Sequence, residues 1–136
     1  MSDSAAVRGS EAVSGGRGAE SAEGRVNRYY TLVDTGRFDE LVALFAPDAV
    51  YERPGYEPLE GRAALTDFYT SRRVIAQGRH RLTRVVVDGG NVAAEGIFAG
   101  TLRSGDEVSL RFSDFFTVGA DGLFSHRVTY FFSELV

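Results

Sequence analysis

The sequence predicts one α+β domain in which three N-terminal helices pack on a curved, mainly antiparallel sheet. Three observations carry this. Up to Tyr69, apolar residues recur at helical spacing. From His80 onward four long segments alternate with period two. Glycine-rich turns separate those segments, which marks a meander and not βαβ winding. A length of 136 residues is one domain by size, and 43% apolar residues suffice for a core.

Met1 to Gly24 holds five Gly, five Ser and no aromatic residue. Such a stretch buries too little apolar surface to offset its ordering entropy. Residues 1–24 therefore read as a disordered tail and 25–136 as the domain, with order beginning near Ser21. Val26, Tyr29, Tyr30 and Val33 share one face of a first helix, and Gly36 is a natural stop. Phe38, Leu41, Val42 and Phe45 line one side of a short second helix, ended by Pro47. Ala49 to Arg53 alternates as a short strand, and Pro54, Gly55 and Pro58 make a loop. After Gly61 a third helix puts Leu65, Phe68 and Tyr69 on one face. The sheet strands are then His80–Val87, Val92–Leu102, Glu107–Val118 and Leu123–Leu135. They turn at Asp88-Gly89-Gly90-Asn91, at Ser104-Gly105-Asp106 and between Gly119 and Gly122.

Composition removes several functions. A net charge of −4 argues against a general nucleic-acid or anionic-membrane binder. The absence of cysteine excludes disulfides, thiolate metal sites and a Cys nucleophile. No apolar run approaches the ~20 residues of a membrane span, and no apolar signal region opens the chain. The simplest expectation is a cytoplasmic protein. Two histidines and scattered acids lack metal-ligand spacing, and there is no Gly-rich phosphate loop, so neither metal nor cofactor is expected. Five arginines between Arg72 and Arg84 lack interleaved aromatics and read as a solvated rim.

Ten Phe and six Tyr exceed what packing alone usually takes and suggest an aromatic-lined pocket for a small apolar molecule. Leu110, Phe112, Asp114, Phe116 and Val118 share one strand face. An acid between two rings loses solvation, so Asp114 is expected to hold a proton and donate a hydrogen bond. The alternative is a salt bridge to Arg53, Arg111 or Arg127. Ala94, Gly96, Phe98 and Gly100 form a face nearly empty of side chains, which reads either as pocket or as close packing. Tyr29 and Tyr69 lie on the apolar faces of the first and third helices, where by themselves they read as core aromatics whose hydroxyls reach water. His80 is suited to carry a proton, or is solvated between Arg79 and Arg81. His126 shares a face with Phe124 and Val128, opposite Arg127 and Thr129, and is expected to face out.

The pattern resembles the nuclear-transport-factor-2-like superfamily, nearest its SnoaL-like polyketide cyclase and ketosteroid isomerase branch. The resemblance rests on Val26-Asn27-Arg28-Tyr29, Thr35-Gly36-Arg37-Phe38, the run from Val42 to Tyr51, the run from Gly61 to Tyr69, and Asp114-Phe115-Phe116 before a Gly turn. It implies a cone-shaped pocket between sheet and helices, commonly in a homodimer formed through the sheet. In ketosteroid isomerases a Tyr of the first helix and a protonated Asp of the sheet hold an oxyanion, a second Tyr supports the first, and an Asp of the first strand is the base. Tyr29, Asp114 and Tyr69 match these in turn, but Arg53 stands at the base position, and a guanidinium cannot abstract a proton. Arg53 and Tyr51 share the strand face that the resemblance turns to the pocket. There Arg53 binds a carboxylate or enolate oxygen, or pairs with Asp114. SnoaL-like cyclases and limonene-type epoxide hydrolases use an acid where Thr129 stands, and the latter an Arg where Phe112 stands. The His of scytalone-dehydratase-like enzymes is matched by His80; their first-helix Asp is not, Thr31 standing there.

The resemblance thus implies a cofactor-independent isomerase, cyclase or dehydratase acting on a polyketide-like carbonyl compound. Asp114, Tyr29 and His80 would move protons or stabilise an enolate. Tyr51, Arg53, Tyr69, Phe98, Phe112, Phe116, Arg127 and Thr129 would hold the substrate. A non-catalytic ligand-binding or scaffold domain is the alternative, and an epoxide hydrolase a further one.

Overall fold

The first helix, α1 (Ala22–Asp34), begins where Ser21 caps it, its side chain accepting a bond from the Gly24 amide at 2.9 Å. Ser21 and the first turn therefore belong to the domain, a few residues ahead of the expected boundary at 25. The computed structural model describes residues 20–132, so the rest of the expected tail and the expected strand end at Leu135 lie outside the described residues. α1 buries Val26, Tyr29, Tyr30, Leu32 and Val33, and Gly36 with φ 72 turns the chain away.

The second helix, α2, runs only over Phe38–Val42, and β1 (Phe45–Glu52) already includes Phe45 and Pro47. The expected helix to Pro47 is thus too long. Phe45 is drawn into the sheet opposite Phe124, its parallel partner, while the Phe124 amide donates to the Leu44 carbonyl. The ladder is irregular between Phe45 and Val50, so the N–H that Pro47 lacks costs no regular pairing. A two-residue strand, β2 (Leu59–Glu60), pairs with β1 inside the expected loop. α3 (Gly61–Asp67) ends in one π-helical turn over Phe68–Arg72, closed by the Arg73 amide on the Phe68 carbonyl at 2.8 Å. This turn carries Tyr69, and such turns recur at functional sites.

Four long strands follow: β3 (Ile75–Asp88), β4 (Asn91–Leu102), β5 (Glu107–Val118) and β6 (Phe124–Phe132). β3 begins before His80 because its pairing tolerates a register shift between Ile75 and Gln77, which spoils the alternation. The sheet order is β2-β1-β6-β5-β4-β3, with β1 and β6 parallel and every other pair antiparallel. The α+β architecture is the expected one.

Two local features set up the interior. Thr117 pairs with His126 but Val118 pairs with Phe124, leaving Ser125 as an extra residue. That bulge shifts the phase of β6, so Arg127 and Thr129 join Phe124 on the buried face while His126 points away. The expected grouping of His126 with Phe124 fails for this reason. The sparse face of β4 is filled by rings: a Cβ on Gly100 would lie 2.6 Å from the Phe98 ring, and one on Gly96 3.0 Å from Phe112. Close packing, not an open pocket, explains those glycines.

Candidate functional site

Asp114 lies midway along β5 and is fully buried. Its register partner on β6 is Thr129, whose hydroxyl donates to Oδ1. Tyr30 donates to Oδ2 at 2.5 Å, and Arg127 Nη2 donates to the same oxygen at 2.9 Å. Asp114 is therefore an acceptor of three bonds and the charge partner of Arg127, in place of the expected proton donor. Of the three arginines considered as its partner, Arg127 is the one the bulge delivers. A buried ion pair of this kind is tolerable only where hydrogen bonds satisfy most of its remaining polar atoms; here Arg127 Nε is the atom left without a partner among the described residues.

Arg127 joins the two halves of the site. Its Nη1 donates to Tyr29 Oη at 2.6 Å and to Tyr69 Oη at 3.1 Å. Its guanidinium lies 4.3 Å from the Tyr51 ring centre and 4.4 Å from that of Tyr29. Burial alone would weaken its charge, but Asp114 and the surrounding phenols reverse this and hold it well above its ordinary range. Burial likewise pushes Tyr69 up to about 12, against the pull of Arg127. Tyr29 and Tyr30 are raised well above the usual phenol range, chiefly by burial, with Asp114 adding to the effect on Tyr30. All three phenols are thus neutral O–H donors at neutral pH.

Tyr29 and Tyr69 meet hydroxyl to hydroxyl at 2.5 Å, as the paired reading expected. Two phenols hold two protons, and their mutual bond uses one. The other is left for a third group, and both tyrosines line an open cleft. That cleft is walled by Phe98, Phe112 and Leu110. Asp114, Arg127 and Thr129 form its polar base, and Arg53 and His80 also line it. Phe116 and Tyr51 stand behind it: Phe116 packs on Tyr29 and Phe124, while the Tyr51 hydroxyl bonds Thr129 at 2.9 Å. These two support the site and do not line it.

His80 is held, not solvated. Its ring nitrogen Nδ1 lies 2.6 Å from Asp34 Oδ1, and its backbone amide donates to Asp34 Oδ2 at 2.8 Å. A carboxylate only accepts, so Nδ1 carries the proton and Nε2 is the nitrogen left to take one. The ring is packed against Phe98, Tyr30 and Phe112 at 4.8, 5.1 and 5.3 Å. The first-helix acid sought at Thr31 is thus supplied one turn later by Asp34. His126 faces out as expected, its Nε2 at 2.6 Å from the exposed Glu52.

Three contributors escaped the sequence reading. Tyr30 looked like a plain core residue beside Tyr29. Asp34, in the last turn of α1, resembled any helix-end acid. Arg73 sits in the run taken as a solvated rim; Arg72, Arg79, Arg81 and Arg84 are exposed, but Arg73 is buried and lines the cleft. Among the described residues there is no group of three or more His, Cys, Asp or Glu placed to hold a metal, and no helix long and apolar enough to cross a membrane.

The chain belongs to the SnoaL-like domain family, whose model matches residues 26–127. Its fold is that of the nuclear-transport-factor-2-like proteins, and solved structures agree. One is SalBIII, described as an epoxide hydrolase/cyclase-like enzyme with a role in pyran ring formation in the polyether salinomycin; it is 23% identical, covering 82% of this chain and 90% of its own, at a TM-score of 0.73. An epoxide hydrolase of the LEH-like type from M. tuberculosis is 22% identical over 82% of each chain, with a TM-score of 0.71. A putative ketosteroid isomerase from Kribbella flavida is 24% identical over 85% of this chain and 80% of its own, with a TM-score of 0.69. Likeness at these identities fixes the fold and leaves the chemistry to the site.

Proposed function

We propose that the cleft binds a small, largely apolar carbonyl compound and catalyses its isomerisation, cyclisation or dehydration by proton transfer, without a cofactor. The observation that carries this is the placing of two complementary groups on one apolar cleft: the His80–Asp34 dyad and the Tyr29–Tyr69 phenol pair. His80 Nε2 takes a proton from the carbon beside the carbonyl, and the electron pair moves onto the carbonyl oxygen. The spare phenol proton, with Arg127 behind it, stabilises that enolate oxygen. Returning the proton to another carbon gives an isomer. Attack of the enolate on a second carbonyl closes a ring, and expulsion of a β-hydroxyl as water completes a dehydration. Asp114 acts in this scheme as a positioning residue, because three of its roughly four acceptor positions are taken by Tyr30, Thr129 and Arg127.

A non-catalytic binding domain is the second reading, and the engagement of Asp114 by Tyr30, Thr129 and Arg127 favours it. We further propose a homodimer through the outer sheet face, supported by the exposed Phe115, Tyr130 and Phe132.

The test is exchange of the acidic C1 protons of 2-tetralone in D2O, followed by proton NMR. The protein should accelerate exchange, and His80→Gln should remove most of that effect, roughly 10²- to 10⁴-fold for a positioned base. Tight binding with exchange at the buffer rate would favour the non-catalytic reading.

A further inference from the structure

Among the described residues, two cations in the cleft have no counter-charge. Arg73 is only 6% exposed, lies over the Tyr69 ring at 5.9 Å, and has a buried Nε without a partner. Arg53 also has an orphaned buried Nε. Its guanidinium sits among Phe68, Tyr56 and Phe131 at 5.1, 5.5 and 5.5 Å, and its one bond is to the Tyr51 hydroxyl at 3.2 Å. Arg127 Nε is orphaned too, so the difference lies in charge: among the described residues neither Arg53 nor Arg73 makes an ion pair, whereas Arg127 is paired with Asp114. The lining thus holds three guanidiniums against one carboxylate, in a chain whose net charge is −4.

Burying a cation without a partner is costly, and orphaned guanidinium N–H groups add to the cost. Aromatic faces stabilise a cation but leave its N–H donors unused. A planar oxyanion satisfies both the charge and the forked donors, as a neutral carbonyl does not. We infer that the ligand of this cleft is an apolar carboxylic acid, bound as its carboxylate by Arg53 and Arg73. This rests on the cleft being the ligand site, and it deepens that reading: the carbonyl compound is itself an acid, anchored at its carboxylate while its apolar body lies against Phe98 and Phe112.

The experiment is isothermal titration calorimetry of the full chain with 2-naphthoate and with 2-naphthamide, neutral and nearly the same shape. The wild-type protein should bind the carboxylate roughly 10- to 100-fold tighter, the usual value of a hydrogen bond to a charged group. Arg73→Gln and Arg53→Gln should each remove about tenfold of that preference and leave amide binding within about twofold. Arg79→Gln, on the exposed rim, should change neither. Equal affinity of the wild-type protein for acid and amide overturns the inference while leaving the cleft as a ligand site. A preference that survives both arginine substitutions also overturns it, as does a preference lost with Arg79. Binding of neither compound overturns the inference and the cleft reading together. The wild-type comparison needs no variant to fold.

Discussion

Replacing Asp114 by Asn keeps the side chain's shape and removes its charge, leaving Arg127 buried at 4% exposure with no counter-ion. Breaking a buried pair from one side costs about 3–5 kcal/mol, because the remaining charge is neither solvated nor compensated. Tyr30 and Thr129 would lose a charged acceptor as well. Against the roughly 5–15 kcal/mol that holds a domain of this size, that is a large share. With a urea slope of about 1–3 kcal/mol per molar, the unfolding midpoint should fall by about 1–5 M. Circular dichroism is the suitable readout, since the chain has no Trp. The double variant Asp114→Leu/Arg127→Met removes both charges and should recover most of the loss. A cost below about 1 kcal/mol for Asp114→Asn, or a double variant as unstable as the sum of its singles, would refute the ion pair as the organiser of the interior.

Alkaline pH should unfold the protein in a defined window. Tyr69 titrates near 12 in the fold against 10 in the unfolded chain, so above pH 10 the unfolded state binds fewer protons and stability falls as pH rises. The loss through Tyr69 is about 3 kcal/mol once both values are passed; Tyr69→Phe should make a plot of urea midpoint against pH less steep between 10 and 12, the remaining slope coming from Tyr29 and Tyr30. Gly100→Ala should cost about 1–3 kcal/mol, because its Cβ meets the Gln77 carbonyl and the Phe98 ring, and a thermal melt would register it. Asp34→Asn should slow 2-tetralone exchange while leaving its binding intact, since it frees His80 without touching the cleft wall. Phe115→Arg combined with Tyr130→Arg should convert a dimer to monomer in analytical ultracentrifugation, the protein otherwise sedimenting as a dimer.

Periodicity made the fold legible. The turns at Gly89, Gly105 and Gly122, each with positive φ, delimit the strands where the sequence placed them. The miss at Pro47 has the opposite character: proline ordinarily ends a helix, but here long-range pairing of Phe45 with Phe124 overrode the local signal. At the site, spacing put Tyr29 and Tyr69 on inward helix faces, and the family resemblance paired them. Which of Arg53, Arg111 and Arg127 partners Asp114 was not legible, because the choice depends on one extra residue at Ser125 that rephases β6. Arg73 and Asp34 were invisible for a related reason. Whether a charged side chain turns inward depends on tertiary neighbours, here the π-helical turn before Arg73 and the approach of β3 to the end of α1.

The proposed chemistry needs one cleft that holds both a proton acceptor and an oxyanion donor. A crystal structure of the protein with 2-tetralone tests this most directly. The expected pose puts the carbonyl oxygen about 3 Å from the hydroxyl of Tyr29 or Tyr69, with the adjacent carbon toward His80 Nε2 and the rings against Phe98 and Phe112. A ligand seated on the outer face beside Phe115 and Tyr130, with the cleft empty, would contradict it.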